Sequence, residues 1–218
     1  MLDPATGDHE NPKPWWATAC TYQVYPRSFR DGNEDGLGDL QGIIQGLPYL
    51  ASLGVDALWL SPFYPSPQHD AGYDVIDPRA VDPMFGTLDD FAELVSQAHQ
   101  RGLRVMVDIV PNHVSASHPW FIEALDSAPG SRSRQRFHFL DGRGPDGAAP
   151  PTNWESIFGG SAWTRVRESN GTWGQWYLHL FDSTQPDLNW ANDEIRVDAL
   201  NTLKFWLRSE EHTSELQS

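Results

Sequence analysis

Asp108-Ile109-Val110-Pro111-Asn112-His113 brings a carboxylate, an amide and an imidazole together within six residues. The five residues before them, Leu103-Arg104-Val105-Met106-Val107, alternate apolar side chains and read as a buried strand running to Val110. The trio therefore sits at the C-terminal end of a strand, where parallel α/β architectures gather their reactive groups. Such groups orient hydroxyls, accept protons or hold a cation. A second set, Asp70 and Tyr73, lies in the proline-stiffened loop of residues 61–74. It offers a carboxylate and a ring, a pairing that suits a sugar. Residues 31–39 form a third set, with Asp31, Asn33, Asp35 and Asp39 at alternate positions and Gly36 in the sixth. Hard cations are wrapped by oxygens from alternate residues, with glycine at the sharp turn. Those four side chains and the Leu37 carbonyl are the expected ligands of a structural Ca²⁺. Mg²⁺ is the alternative, under stricter octahedral geometry. Gly42 stands where an EF-hand carries its closing Glu.

The elements that must position these groups follow from periodicity. Strands are expected at 21–25, 55–60 and 103–110. Helices are expected at 40–53, with Pro48 splitting or kinking it, at 87–101, and from Trp190 to Leu207. Thr87 with Asp90 reads as a capping-box relative, Gly54 and Gly102 as helix stops, and Asn192 as an N-cap. In the last helix Ile195, Ala199, Leu203 and Leu207 form the expected buried face. Strand and helix alternate with short connections, the signature of parallel βαβ units. Residues 115–189, rich in Gly, Pro, Ser and aromatics, are too long for a plain connection and read as an inserted small domain. Residues 1–14 hold three prolines and are expected to be disordered. Residues 208–218 drop the apolar pattern and resemble the translation of a sequencing adapter, so they are expected to be an artefact.

Composition narrows the partners. Net charge is -15 over 218 residues, with acidic side chains spread throughout, which argues against nucleic acid and anionic membrane. Ten Trp in an acidic chain favour a small oligosaccharide, which packs C–H faces on rings and bonds its hydroxyls to carboxylates. Cys20 is the only cysteine, so no internal disulfide forms. The start has no signal-peptide pattern and no run approaches the roughly 20 apolar residues of a membrane helix, so a cytoplasmic protein is expected. Oligomeric state is not legible.

Taken with Tyr22-Gln-Val-Tyr-Pro-Arg-Ser-Phe29, Leu58-Trp-Leu-Ser-Pro-Phe63, Asp82-Pro-Met-Phe-Gly-Thr87 and Gln185-Pro-Asp-Leu-Asn189, these segments resemble the alpha-amylase family of glycoside hydrolases. The resemblance covers residues 15–207 and is nearest the alpha-glucosidase and oligo-1,6-glucosidase branch. It implies an α/β fold, part of a (β/α)₈ TIM barrel holding about the first three βα units. Residues 15–114 would begin the barrel, 115–189 would be the family's B domain after strand 3, and 190–207 would be barrel helix 3. It also implies retaining hydrolysis of an α-glucosidic bond, with one carboxylate as nucleophile and a second as acid and base. His113 and Asp70 would hold hydroxyls of the non-reducing glucose, Tyr73 would stack on it, and Asp108 would orient its neighbours. Gln185 belongs to a motif typical of the exo-acting branch, and Phe158 and Trp163 would line the outer subsite. The nucleophile and the acid have no match here. Asp182 and Asp187 are read as surface or loop-capping carboxylates, and the chain itself is expected to be inactive. The same resemblance admits a family transferase, trehalose-forming or sucrose-acting, and a non-enzymatic barrel kept for interactions.

Overall fold

A computed structural model describes residues 13–168 and 170–211. The expected disorder of residues 1–14 falls almost wholly outside them, as does most of the segment read as an artefact. Three strands, β1 (Thr21–Val24), β2 (Ala57–Leu60) and β3 (Arg104–Val107), pair in parallel in the order β1-β2-β3. Parallel neighbours need a crossover rather than a tight turn. After the single-turn α1 (Pro26–Phe29), α2 (Leu40–Ser52) and α3 (Leu88–His99) supply those crossovers. Leu40, Ile43, Leu47 and Leu50 of α2 meet Phe91, Leu94, Val95 and Ala98 of α3 and Leu58 and Leu60 of β2 in one buried core. Full burial of each large aliphatic among them contributes roughly 1.5–3 kcal/mol. The alternate row, Gln23, Trp59 and Met106 in register, stays partly exposed. Three strands do not close, and no barrel is completed among the described residues.

Local chemistry sets most ends. Thr87 Oγ1 accepts from Asp90 N at 3.1 Å and Asp90 Oδ2 accepts from Thr87 N at 2.7 Å, a complete capping box. Gly102 stops the α3 segment with φ +75°. Pro48 does not split α2, which runs through it. A proline inside a helix costs about 3 kcal/mol. Leu47 and Leu50, both fully buried, hold the chain in register on either side of it. Strand β3 stops at Val107 rather than Val110. From Asp108 onward the chain is engaged by side chains instead of a neighbouring strand.

Residues 115–189 contain α4 (Pro119–Asp126) and an antiparallel sheet of β4 (Phe139–Leu140), β5 (Trp163–Arg167) and β6 (Trp173–Leu178), in the order β4-β6-β5. Phe121, Phe137, Val166 and Tyr177 form its core, with Phe121 edge-on to Phe137 at 5.1 Å and to Tyr177 at 4.9 Å.

Helix α5 (Asp193–Glu211) is capped by Asn192, whose Oδ1 accepts from Glu194 N at 2.9 Å. Its buried face differs from the expected one. Ile195, Thr202 and Trp206 are buried, whereas Leu203 is 44% and Leu207 61% exposed. Trp206 decides the rotation. Its ring packs edge-on to Phe63 at 5.6 Å and Phe91 at 5.1 Å, and its Nε1 donates to Pro78 O at 2.7 Å. An indole buries more area than a leucine and carries a donor that must be satisfied. The helix also continues past Leu207 to Glu211.

Candidate functional site

Asp108 is the hub where β3 ends. Its Oδ1 accepts from Trp59 Nε1 of β2 at 2.8 Å, and its Oδ2 accepts from Tyr73 OH at 2.9 Å. The Tyr64 hydroxyl donates to the Asp108 carbonyl. Burial first, then the hydrogen bond to Asp108 and its charge, push the Tyr73 phenol up to about 12, so it stays protonated and donating at neutral pH. Burial and Asp108 likewise raise Tyr64.

The loop that delivers Asp70 and Tyr73 is tied around Asp74, which is fully buried. Asp74 accepts from Ser66 Oγ at 2.7 Å, His69 N at 3.0 Å and Asp70 N at 3.2 Å. That girdle holds Gln68 and Ala71 at φ +64° and +51°, conformations that cost non-glycine residues energy.

On the other side, residues 112–116 run against a strap at 184–188. Leu188 N donates to Asn112 O at 2.9 Å and Ala116 N to Thr184 O at 2.7 Å. The strap brings Gln185 to the cluster. Its Nε2 donates to Asp70 Oδ2 at 2.9 Å and lies 3.1 Å from His113 Nε2, while its Oε1 accepts from Asp182 N at 3.0 Å. Gln185 is fully buried, so it orients Asp70 and His113 from below. His113 is 4% exposed, with Nε2 3.2 Å from Tyr73 O. Burial lowers its pKa, against the upward pull of the Tyr73 carbonyl, Asp70 and Asp74, which favours the neutral imidazole.

The structure thus gathers Asp70, Tyr73, Asp108, His113 and Gln185 into one hydrogen-bonded cluster. Phe158 joins it through Phe181, whose ring lies 6.0 Å from Phe158 and 4.9 Å from His113. Phe158 remains at the rim, 58% exposed. Trp163 does not line an outer subsite with it. Its ring is buried beside Ala162 and Leu178, and its Nε1 donates to Thr152 Oγ1 at 2.8 Å. Asp182 caps its loop as expected, accepting from Thr184 N and Oγ1. Asp187, read as a surface or loop-capping carboxylate, accepts from Leu180 N at 3.2 Å but is not at the surface. It is 3% exposed, and desolvation pushes its carboxyl up to about 6. Sequence reasoning missed Trp59 and Phe181. Trp59 was visible as the strand residue out of phase with buried Leu58 and Leu60; Phe181 had no signal beyond its aromatic type.

The acidic loop is organised by its own amides. Asp31 Oδ1 accepts from Asn33 N at 3.1 Å and Glu34 N at 2.6 Å, and its Oδ2 accepts from Gly36 N at 2.7 Å. The Gly36 bond is the leading reason its carboxyl sits below the ordinary range. Asn33 accepts from Asp35 N, and Asp35 from Leu37 N. Asp39 joins the loop to α2: its Oδ1 caps the helix, accepting from Gly42 N at 2.6 Å, and its Oδ2 accepts from Gly32 N at 3.3 Å. A Cβ at Gly42 would lie 1.9 Å from Arg30 O, so the closing Glu of an EF-hand cannot be housed there. Among the described residues no group of three or more His, Cys, Asp or Glu side chains is placed to hold a metal ion. The hard oxygens of Asp31, Asn33, Asp35, Asp39 and the Leu37 carbonyl still suit a Ca²⁺-type cation, since each oxygen bonded to an amide retains a lone pair.

This geometry places a polar grip at the C-terminal end of parallel strands, the arrangement of enzymes built on (β/α) barrels. The match to the alpha amylase catalytic-domain family runs over residues 23–212, and the chain belongs to that family. It is 48% identical over 193 residues to the oligo-1,6-glucosidase of Heyndrickxia coagulans, covering 88% of this chain and 34% of that protein. It is 52% identical over 192 residues to the trehalose-6-phosphate hydrolase of Escherichia coli (strain K12), covering 88% and 33%. Among solved structures it superposes on isomaltulose synthase from Klebsiella sp. LX3 with a TM-score of 0.83 at 46% identity, covering 90% of this chain and 34% of that one. The chain spans about a third of the length of the relatives it matches, and it aligns with the N-terminal part of these TIM-barrel enzymes. Among the described residues no helix is long and apolar enough to cross a membrane.

Proposed function

We propose that this chain forms the glucose-gripping part of a retaining, exo-acting α-glucosidase that cleaves short oligosaccharides. The convergence of Asp70, Tyr73, Asp108, His113 and Gln185 supports the reading. Asp70 accepts from sugar hydroxyls, His113 and Tyr73 fix the ring's position, and Phe158 with Phe181 borders the way in. Relatives named as a glucosidase and as isomaltulose synthases, one of them solved with its natural substrate sucrose, match about equally well, so the proposal concerns the glucosyl grip they share. The nucleophile and the acid of the retaining mechanism have no counterpart among these residues, so the chain as it stands binds and does not turn over. Methyl α-glucoside should bind it saturably by calorimetry, with roughly millimolar Kd, and Asp70→Ala should weaken binding at least tenfold. p-Nitrophenyl α-glucoside should stay intact. Absence of binding, or clear turnover, would overturn the reading.

The loop at residues 31–39 is part of the same proposal and holds a structural Ca²⁺ through Asp31, Asn33, Asp35, Asp39 and the Leu37 carbonyl. Added Ca²⁺ should raise the melting temperature of the native chain, and Asp35→Ala should abolish that response. An equal Ca²⁺ shift in both proteins would refute the ligand set.

A further inference from the structure

We infer that Asp187 is a positioning residue: by holding the Asn112 side-chain amide, it fixes the proton of His113 on Nε2, facing the sugar-gripping cluster. Asp187 lies on the strap that carries Gln185, opposite His113. Its Oδ1 accepts from Asn112 Nδ2 at 3.0 Å and from Leu180 N at 3.2 Å. One carboxylate thus joins the end of β3 to the chain leaving β6. The carboxylate also decides which way the Asn112 amide points. With the amide reversed, its oxygen would face a carboxylate oxygen, acceptor against acceptor.

Held this way, Asn112 Nδ2 lies 3.3 Å from His113 Nδ1. An amide nitrogen only donates, so this contact favours Nδ1 as the bare acceptor. The single proton of the neutral imidazole then sits on Nε2, 3.2 Å from the Tyr73 carbonyl that accepts it. Gln185 Nε2, 3.1 Å from the same nitrogen, is also a donor and opposes that proton; its bond to Asp70 Oδ2 at 2.9 Å turns it toward the carboxylate and leaves the Tyr73 carbonyl as the acceptor that Nε2 faces. The order of control therefore runs from Asp187 to Asn112 to His113. Without Asp187 the amide is free to reverse, its oxygen faces Nδ1, and the proton moves there. The His113 donor is then withdrawn from the side occupied by Asp70 and Tyr73. The inference deepens the proposed glucosyl grip and rests on that reading for its functional meaning.

The ring nitrogens report the tautomer directly. In long-range ¹H–¹⁵N spectra of the labelled chain, with His113→Ala for assignment, His113 should be the Nε2–H form. Asp187→Ala should shift its population to Nδ1–H. Asp187→Asn should restore the native pattern, because its Oδ1 still accepts from Leu180 N and Asn112. If Asp187→Ala does not fold, Asn112→Ala removes the same donor from Nδ1 and should raise the Nδ1–H population, with the Tyr73 carbonyl alone still favouring Nε2–H. A folded Asp187→Ala or Asn112→Ala protein whose His113 shows no rise in Nδ1–H, or an Asp187→Asn protein that fails to restore the native pattern, overturns the assignment. Methyl α-glucoside added to the native chain should move the His113 resonances; their indifference to sugar would remove the glucosidase reading and leave the tautomer result standing.

Discussion

Glu168→Ala should lower the melting temperature by about 10 °C or more, and Arg134→Met should cost distinctly less. Arg134 is 2% exposed and sits on a single 3₁₀ turn, Arg134–Arg136, that leads into the small sheet. Its Nη2 donates to both Glu168 oxygens at 2.8 and 3.0 Å, its Nη1 to Gln175 Oε1 at 3.3 Å and its Nε to Ala124 O at 3.0 Å. The guanidinium also stacks 5.0 Å from the Phe139 ring. One side chain thereby ties α4, β4, β6 and the turn between β5 and β6. Removing Glu168 leaves a cation buried without its counter-charge, which costs about 3–5 kcal/mol. For a chain of this size that is on the order of 6–20 °C. Methionine in place of Arg134 removes the charge with its burial cost and leaves Glu168, 20% exposed at the side chain, able to reach water. Thermal unfolding followed by circular dichroism compares the two. A larger loss for Arg134→Met would sink the buried-charge account.

Asp74→Ala is expected to release the loop that carries Asp70 and Tyr73. Three donors, Ser66 Oγ, His69 N and Asp70 N, lose their acceptor at a position with no access to water. Each buried group left unsatisfied costs about 1–3 kcal/mol. The strained backbone at Gln68 and Ala71 then has nothing to hold it. Stability should fall by roughly 3 kcal/mol or more. The Tyr73 phenol, parted from Asp108, should titrate nearer its ordinary value of 10 than its native value of about 12. Ultraviolet titration, differenced against Tyr73→Phe, reads that change. A Tyr73 titration unaltered by Asp74→Ala would show that the loop is held by something else.

The two residues illustrate what could be seen in advance. Asp74 stood inside a recognisable motif, but nothing local marked it as the acceptor for three donors. Arg134 sat in an unpatterned stretch and carried no signal at all. The clearest parts were those governed by neighbours within four residues. Thr87 and Asp90 announced their capping box, Asn192 its cap, and the strand before Asp108 its alternation. Contacts across long separations were hidden. The further role of Asp39 as the cap of α2 had no such signal, because it depends on Gly42 seating the first turn against Arg30. Leu203 and Leu207 fitted a helical stripe as well as Trp206 did, until the aromatic cluster of Phe63 and Phe91 claimed the indole.

From residue order alone came the parallel βαβ start, an inserted region after the third strand and the location of the polar grip at strand ends. Periodicity and capping are short-range, and a strand end is a local event. Only tertiary structure decided which groups meet: that Trp59 steadies Asp108, that Gln185 lies beneath Asp70 and His113, and that Asp187 is buried rather than solvated. Those outcomes depend on desolvation and on hydrogen-bond partners 49 to 115 positions apart, and neither is written in any local pattern.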